Sequence, residues 1–211
     1  MTESGKYVTL SQLAYTDFEG FDIARLANAG WSPGNGLVQL RGNSVSAGDI
    51  AWLKDVRGVL FVDRGVSAED IEALGGIESI RILMFTRCRF EDNFQWSAIS
   101  RLPCKYIGIG GCNLSALKVE EFLRSIPEGI CCVDLADTAV DDSLSSLLSR
   151  LSYLEYLGIT QNTVMTDIGF KKVCGIASLR TIDVAEFSTR ISRDSKNQVR
   201  LEIPILQVNE M

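Results

Sequence analysis

A pair of apolar residues separated by one position recurs along nearly the whole chain, and this repetition constrains the fold more than any other feature. The spacing between successive pairs runs from 21 to 30 residues and is most often 24. The first residues of the pairs, which we call the reference positions, are Val8, Val38, Val59, Leu83, Ile107, Val133, Leu157 and Ile182. Self-similarity at a fixed period of this length is typical of proteins built from stacked repeats.

Each repeat is predicted to begin as a β-strand. Alternation with a period of two places the reference residue and the residue two positions later on one face of the strand, and the residues between them on the other face. A polar or small residue follows the strand at an equivalent turn position, where its side chain can hydrogen-bond the turning backbone. These turn residues include Asn43, Cys88, Cys112, Thr138 and Asn162.

A helix is predicted after each turn. A hydroxyl residue followed by an acid three positions later has the spacing of a capping box, and the pairs are Ser46 with Asp49 and Ser67 with Asp70. Asp141 and Thr166 are expected to cap the helices of their own repeats. Apolar residues at helical spacing come next, for example Val119 with Phe122 and Leu123. One repeat is therefore a strand followed by a helix.

This consensus resembles that of the leucine-rich repeat family, L-x-x-L-x-L-x-x-N/C-x-L. The best matches begin at Cys104, Ile130 and Leu154, and the resemblance covers roughly residues 6 to 189. The helix, the cysteines at the turn and the length of about 24 residues are most similar to the cysteine-containing, helix-bearing subclass of that family. The resemblance implies a right-handed α/β solenoid, or horseshoe, with a concave parallel sheet and convex helices.

One continuous domain is predicted, because a single repeat cannot bury enough apolar surface to offset its conformational entropy and depends on its neighbours. Residues 1–35 are predicted to be an irregular N-terminal capping unit, residues 36–189 the leucine-rich repeats, and residues 190–211 a C-terminal cap. Within that cap, residues 199–206 alternate between apolar and other residues. We interpret them as a final edge strand whose pairing Pro204 limits.

Composition disfavours several kinds of function and location. The chain has no histidine, so the commonest general base and the commonest zinc ligand are both absent. A net charge of −6 disfavours nucleic acid or an anionic membrane as the partner. No signal peptide or membrane-spanning run is evident. Six cysteines at repeat-equivalent or helical positions favour free, buried thiols, which predicts a cytoplasmic protein.

The concave face is the predicted binding surface. In a leucine-rich solenoid the strand side chains that point away from the core line this face, and its middle is apolar here. An exposed apolar patch marks a contact site. Alternatively, these side chains pack on one another across the strands, or terminal elements cover them. The candidate partner-binding residues are Leu60, Val62, Ile82, Met84, Tyr106, Asp134, Tyr156 and Asp183.

Other motifs have structural explanations. The run Gly108-Ile-Gly-Gly lacks the Lys-Ser/Thr of a phosphate-binding loop, so its glycines are assigned to the turn and to close packing. The pair Cys131-Cys132 has no histidine to activate a thiolate. The aspartates from 134 to 142 are explained by helix capping. The sequence therefore predicts no catalytic residue, no metal site and no cofactor.

The predicted function is a non-catalytic recognition module, rather than an enzyme, that binds a protein or peptide through the concave face. An alternative is a substrate-receptor or adaptor subunit of a ubiquitin-ligase or effector-type complex, with residues 1–35 contacting the ligase subunit. A structural or self-associating role through an uncapped end also remains open. If the concave tyrosines bind the partner, Tyr106→Glu and Tyr156→Glu should abolish capture and leave thermal stability almost unchanged.

Overall fold

The structure is a computed structural model that describes residues 8–9, 37–41, 47–50, 56–92, 94–162, 164–184 and 190–210. The strands are β1 (Val8–Thr9), β2 (Leu37–Arg41), β3 (Gly58–Val62), β4 (Gly65–Val66), β5 (Ile82–Thr86), β6 (Arg89–Phe90), β7 (Tyr106–Gly110), β8 (Cys132–Asp134), β9 (Tyr156–Ile159), β10 (Thr181–Val184) and β11 (Gln207–Glu210). The helices are α1 (Ala47–Ile50), α2 (Ala68–Leu74), α3 (Ala116–Ser125), α4 (Ser145–Ser149), α5 (Asp167–Cys174) and α6 (Arg193–Glu202), with 3₁₀ segments at Trp96–Arg101 and Asp142–Leu144.

The strands form a sheet in the order β1-β2-β3-β5-β7-β8-β9-β10-β11. Every pairing from β2 to β11 is parallel, while β4 and β6 form a separate two-stranded parallel ladder. The reference residues are Cα partners in successive strands, in the order Val38, Val59, Leu83, Ile107, Val133, Leu157 and Ile182. This register confirms the predicted α/β leucine-rich-repeat solenoid.

The main core lies between the sheet and the helices. Reference residues and their partners two positions later belong to one buried cluster with the apolar faces of α2 to α6. Phe61, Phe85, Phe122 and Phe170 are among its largest fully buried side chains. The predicted division of each strand into a core-facing row and a row on the opposite, concave face is therefore confirmed.

The side chains at the turn position bond the backbone as predicted. The Cys88 thiol donates to Phe61 O at 3.2 Å, and the Cys112 thiol donates to Phe85 O at 3.5 Å. In a later coil Asn162 donates to Thr138 O at 3.0 Å. Each of these bonds reaches the preceding coil, so the turn residues connect repeats as well as closing turns.

Two terminal predictions are wrong. Residues 199–206, predicted as an edge strand, belong to the end of α6 and the turn after it, and the last strand is β11. Val8 is not equivalent to the other reference residues, because β1 pairs antiparallel with β2 and Val8 lies opposite Gln39. The cap predicted at Ser46 lies outside the described residues, as does most of the predicted unit 1–35.

A row of left-handed residues follows the strands and was not predicted. Its members lie four positions after successive reference residues and have φ between 50° and 60°; they are Asp63, Arg87, Gly111, Asp137 and Gln161. This conformation costs a non-glycine residue about 1–2 kcal/mol. Amides of the row donate to carbonyls of the next coil, including Arg87 N to Gly110 O at 2.8 Å. Hydrogen bonds between coils thus offset the backbone strain.

Hydrogen bonds link the N-terminus of one helix to the N-terminus of the helix in the next coil. The predicted caps at Ser67, with its reciprocal Asp70 bond, and at Asp141 and Thr166 are confirmed. In addition, the Asp142 carboxylate accepts hydrogen bonds from both the backbone N and the hydroxyl of Thr166. The Asp167 carboxylate accepts the same two bonds from Ser192, each at 2.7 Å. Each acid therefore fixes the start of the following helix.

Gly169 provides the space for the first of these clamps. A Cβ built at Gly169 would lie 2.3 Å from Asp142 Oδ1 and 2.9 Å from Asp142 Cα. We expect Gly169→Ala to destabilise the fold by about 1–3 kcal/mol, because it displaces a carboxylate that accepts two hydrogen bonds. In the Asp142→Ala background the same change should destabilise less, because the carboxylate is gone and only the contact with the Cα of residue 142 remains. Urea unfolding of the wild type, the two single variants and the double variant measures these changes. Additive changes in the free energy of unfolding would contradict the prediction.

The Asp63–Arg87 pair gives a pH-dependent prediction. Arg87 Nε lies 2.6 Å from Asp63 Oδ1, and this hydrogen bond holds the pKa of Asp63 below its ordinary 3.8. A lowered folded pKa means that the pair stabilises above pH 3.8 and loses its contribution as the pH falls through the folded value. Asp63→Asn should therefore cost stability at pH 7, by at most about 1 kcal/mol for such an exposed pair, and the loss should be smaller at pH 2 than at pH 7.

Urea midpoints measured at both pH values test this expectation. Asp137→Asn is the matched control, because Asp137 occupies the same left-handed row with φ 52°. Equal losses in the two variants, or a loss in Asp63→Asn that is as large at pH 2 as at pH 7, would show that the ion pair is not responsible.

Candidate functional site

The concave face carries most of the residues predicted to bind a partner. Six of the eight predicted residues form one hydrophobic cluster with Cys132, and these six are Leu60, Val62, Ile82, Met84, Tyr106 and Tyr156. Parallel register explains the grouping, because Ile82, Tyr106, Cys132 and Tyr156 are Cα partners in successive strands. We call this set the concave apolar cluster.

The structure agrees with the alternative in which the side chains of this cluster are packed or covered. Its members are between 0% and 6% exposed, so they do not form an open apolar patch. These side chains are buried partly because they lie along the sheet and cover one another. A Cβ at Gly108 would be 2.5 Å from Met84 Cε. The rings of Tyr106 and Tyr156 stack with their centroids 6.4 Å apart. Gly108 makes room for Met84 and Asp134. Partner binding by the cluster stays a prediction.

Burial argues against the expected tolerance of Tyr106→Glu and Tyr156→Glu. Tyr106 is 3% exposed and Tyr156 is 6% exposed, so either substitution would place a carboxylate in an apolar environment. Such burial without a partner is costly. Loss of capture by these variants would not separate binding from misfolding.

The two remaining predicted residues, Asp134 and Asp183, lie beside Gly158. Gly158 is the Cα partner of Asp134 in β8 and of Asp183 in β10. Tyr156, two residues before Gly158, extends over the glycine and donates its hydroxyl to Asp183 Oδ2 at 3.0 Å. Asn209 on β11 donates to Asp183 Oδ1 at 2.9 Å. We call these five residues the concave polar site.

Gly158 allows these side chains to converge. A Cβ there would lie 2.6 Å from the Tyr156 hydroxyl and 2.7 Å from Asp134 Oδ1. Asp134 Oδ1 accepts a hydrogen bond from Ala136 N at 3.0 Å, which fixes the carboxylate. Asp183 is 1% exposed, whereas Asp134 and Asn209 are partly exposed. The site therefore presents an anchored carboxylate and an amide at the surface above a buried Tyr–Asp hydrogen bond.

The last strand contributes residues that the sequence reasoning missed. Asn209 and Gln207 belong to β11, and Gln207 Nε2 donates to Asn209 Oδ1 at 3.0 Å. The available signal was the period, since Val208 lies 26 residues after Ile182 and is its Cα partner. The usual apolar partner two positions later is Glu210 here, which obscured the repeat.

Burial raises the pKa of three of the thiols. All six cysteines are free, and burial raises the pKa of Cys104 and of Cys174 to about 12. Burial also raises the pKa of Cys131, the partly exposed member of the Cys131-Cys132 pair. These three thiols are protonated at neutral pH, and a protonated thiol is a poor nucleophile.

Two absences hold for the part of the chain that the structure describes. In it, no group of three histidine, cysteine, aspartate or glutamate side chains is placed to hold a metal ion. Among the same residues, no helix combines the length and apolar character needed to cross a membrane.

Comparison with known proteins finds similarity among solved structures only. No family model and no curated protein matches the chain. The crystal structure of a TLR13–ssRNA13 complex is 17% identical, with a TM-score of 0.45 over 67% of this chain and 20% of the other. An internalin, InlF, from Listeria monocytogenes is 13% identical, with a TM-score of 0.45 over 77% of this chain and 50% of the other. The chain thus spans about one fifth of the TLR13 chain and about half of the internalin chain.

The Tyr156–Asp183 hydrogen bond gives a stability prediction. We expect Tyr156→Phe to destabilise the fold by about 1–3 kcal/mol, because it removes a donor from a carboxylate that is 1% exposed. Tyr153→Phe is the matched control: Tyr153 is 63% exposed and should change stability by less than about 0.5 kcal/mol. Urea unfolding measures both, and equal effects would show that the bond is unimportant.

Proposed function

We propose that this chain is a non-catalytic recognition module that binds a protein or peptide through the concave polar site. The observation that carries the proposal is the partly exposed Asp134 carboxylate, anchored by Ala136 N beside Gly158 on a rigid parallel sheet. A side chain fixed before binding loses little conformational entropy when a partner is bound. The buried apolar cluster next to it supports the site from the same strands.

The chemistry of the site favours a partner rich in hydrogen-bond donors. Asp134 contributes a carboxylate to the patch and Asn209 contributes an amide, while the Asp183 carboxylate lies buried and bonded to Tyr156 and Asn209. The chain as a whole has a net charge of −6. Complementary charge accelerates association and suppresses wrong partners. We therefore propose that the partner presents lysine, arginine or free backbone N–H groups to Asp134.

The remaining expectations of class and location are proposed on related grounds. The thiols of Cys88 and Cys112 bond the backbone at the turn, which supports assignment to the cysteine-containing subclass of leucine-rich repeats. Six free cysteines support a reducing compartment such as the cytoplasm.

Affinity capture with substituted bait tests the proposal. Asp134→Asn keeps one oxygen to accept from Ala136 N, removes the charge and replaces the other oxygen with an amide NH2 group. Asp137→Asn removes an exposed charge from the same coil outside the concave polar site. We expect mass spectrometry to find a protein retained by the wild type and by Asp137→Asn but reduced at least tenfold, about 1.4 kcal/mol, on Asp134→Asn.

The outcome against the proposal is equally specific. If every captured protein is retained equally by Asp134→Asn and Asp137→Asn, the concave polar site is not the binding surface. A captured protein whose binding segment is acidic rather than basic would overturn the proposed partner chemistry.

A further inference from the structure

The C-terminal edge of the sheet has a feature that neither the repeat nor the proposed binding site explains. β11 pairs in parallel with β10 and is the last strand in the sheet order. The free side of a terminal strand offers backbone donors and acceptors to any other strand. What lies on that side therefore decides whether the solenoid can add a strand.

The direction of the β11 backbone groups follows from its pairing. Gln207 N donates to Arg180 O at 2.8 Å, so the polar groups of Gln207 face toward β10. Because successive residues of a strand alternate, the backbone groups of Val208 and Glu210 face away from β10. Val208 O is thus an acceptor on the outer edge.

The guanidinium group of Arg200 donates a hydrogen bond to this acceptor. Arg200 Nη2, from the last turn of α6, donates to Val208 O at 3.1 Å and to Glu210 Oε1 at 2.8 Å. The other Glu210 oxygen pairs with Lys196 Nζ at 3.1 Å, and the Lys196 side chain is 2% exposed. Charge on an edge strand is a recognised way of preventing edge-to-edge pairing.

We propose that Lys196, Arg200 and Glu210 form an edge latch that prevents β11 from pairing with β11 of a second copy of this chain. Two antiparallel copies centred on Asn209 would place Val208 of each opposite Glu210 of the other. Such pairing needs Val208 O, the atom to which Arg200 donates. The pairing would also bring together two terminal coils whose Leu201 and Ile205 are 82% and 68% exposed, which supplies apolar surface for a self-complementary contact.

Sedimentation velocity of latch variants tests the proposal. We expect the wild type to sediment as a monomer across the micromolar range. Arg200→Ala should dimerise at least ten times more tightly than the wild type. Glu210→Gln, which is nearly isosteric, should also dimerise more tightly than the wild type. Arg193→Ala is the matched control, because Arg193 is an exposed arginine at the other end of α6. Equal association of Arg200→Ala and Arg193→Ala, or none in either latch variant, would overturn the latch.

Amide hydrogen exchange distinguishes strand pairing from other association. In the Arg200→Ala dimer the amides of Val208 and Glu210 should exchange at least tenfold more slowly than in the wild-type monomer. A dimer in which both amides exchange at the monomer rate would overturn pairing through β11. Far-ultraviolet circular dichroism that matches the wild type shows that the variant compared is folded.

Discussion

The parallel hydrogen-bond ladder between successive coils determines where every other group in this molecule lies. Once Val59, Leu83, Ile107, Val133 and Leu157 are in register, each equivalent position forms a row across the sheet. Core residues, turn thiols, left-handed residues and helix caps are such rows. A side chain therefore meets its equivalents in neighbouring coils about 4.8 Å away, and contacts between coils repeat or alternate along the array.

Glycines create space for neighbouring side chains at particular positions in these rows. At Gly108 and Gly158 the missing Cβ lets Met84 and Tyr156 lie along the sheet, and at Gly169 it admits Asp142 to the start of α5. These three positions share one principle, in which a small residue in one coil provides space for a long side chain from the same or a neighbouring coil. The concave face is consequently well packed over β3 to β9 and becomes polar from Gly158 to Asn209.

The sequence predicted the features that depend on a single coil. Period, strand faces, turn residues and the caps at Ser67, Asp141 and Thr166 follow from local pattern, and the structure confirms them. Features that depend on two coils were missed or left open: the Asp142–Thr166 clamp was missed, and the burial of Met84 was left as an alternative. Residues 199–206 show the limit of pattern alone. Their alternation resembles a strand, but the cap at Ser192 begins a helix that continues to Glu202.

The same distinction explains why the candidate site was found only in part. Asp134 and Asp183 were recognised as concave residues because each lies between a reference residue and its partner. Their relation to one another depends on Gly158, Tyr156 and Asn209, which come from two further strands. Buried apolar side chains make the sheet rigid but leave little apolar surface for a partner, so specificity must come from a few fixed polar groups. A carboxylate held by Ala136 N on such a sheet combines low conformational freedom with directional recognition, and it is on these grounds that we assign the binding role to the polar end of the concave face.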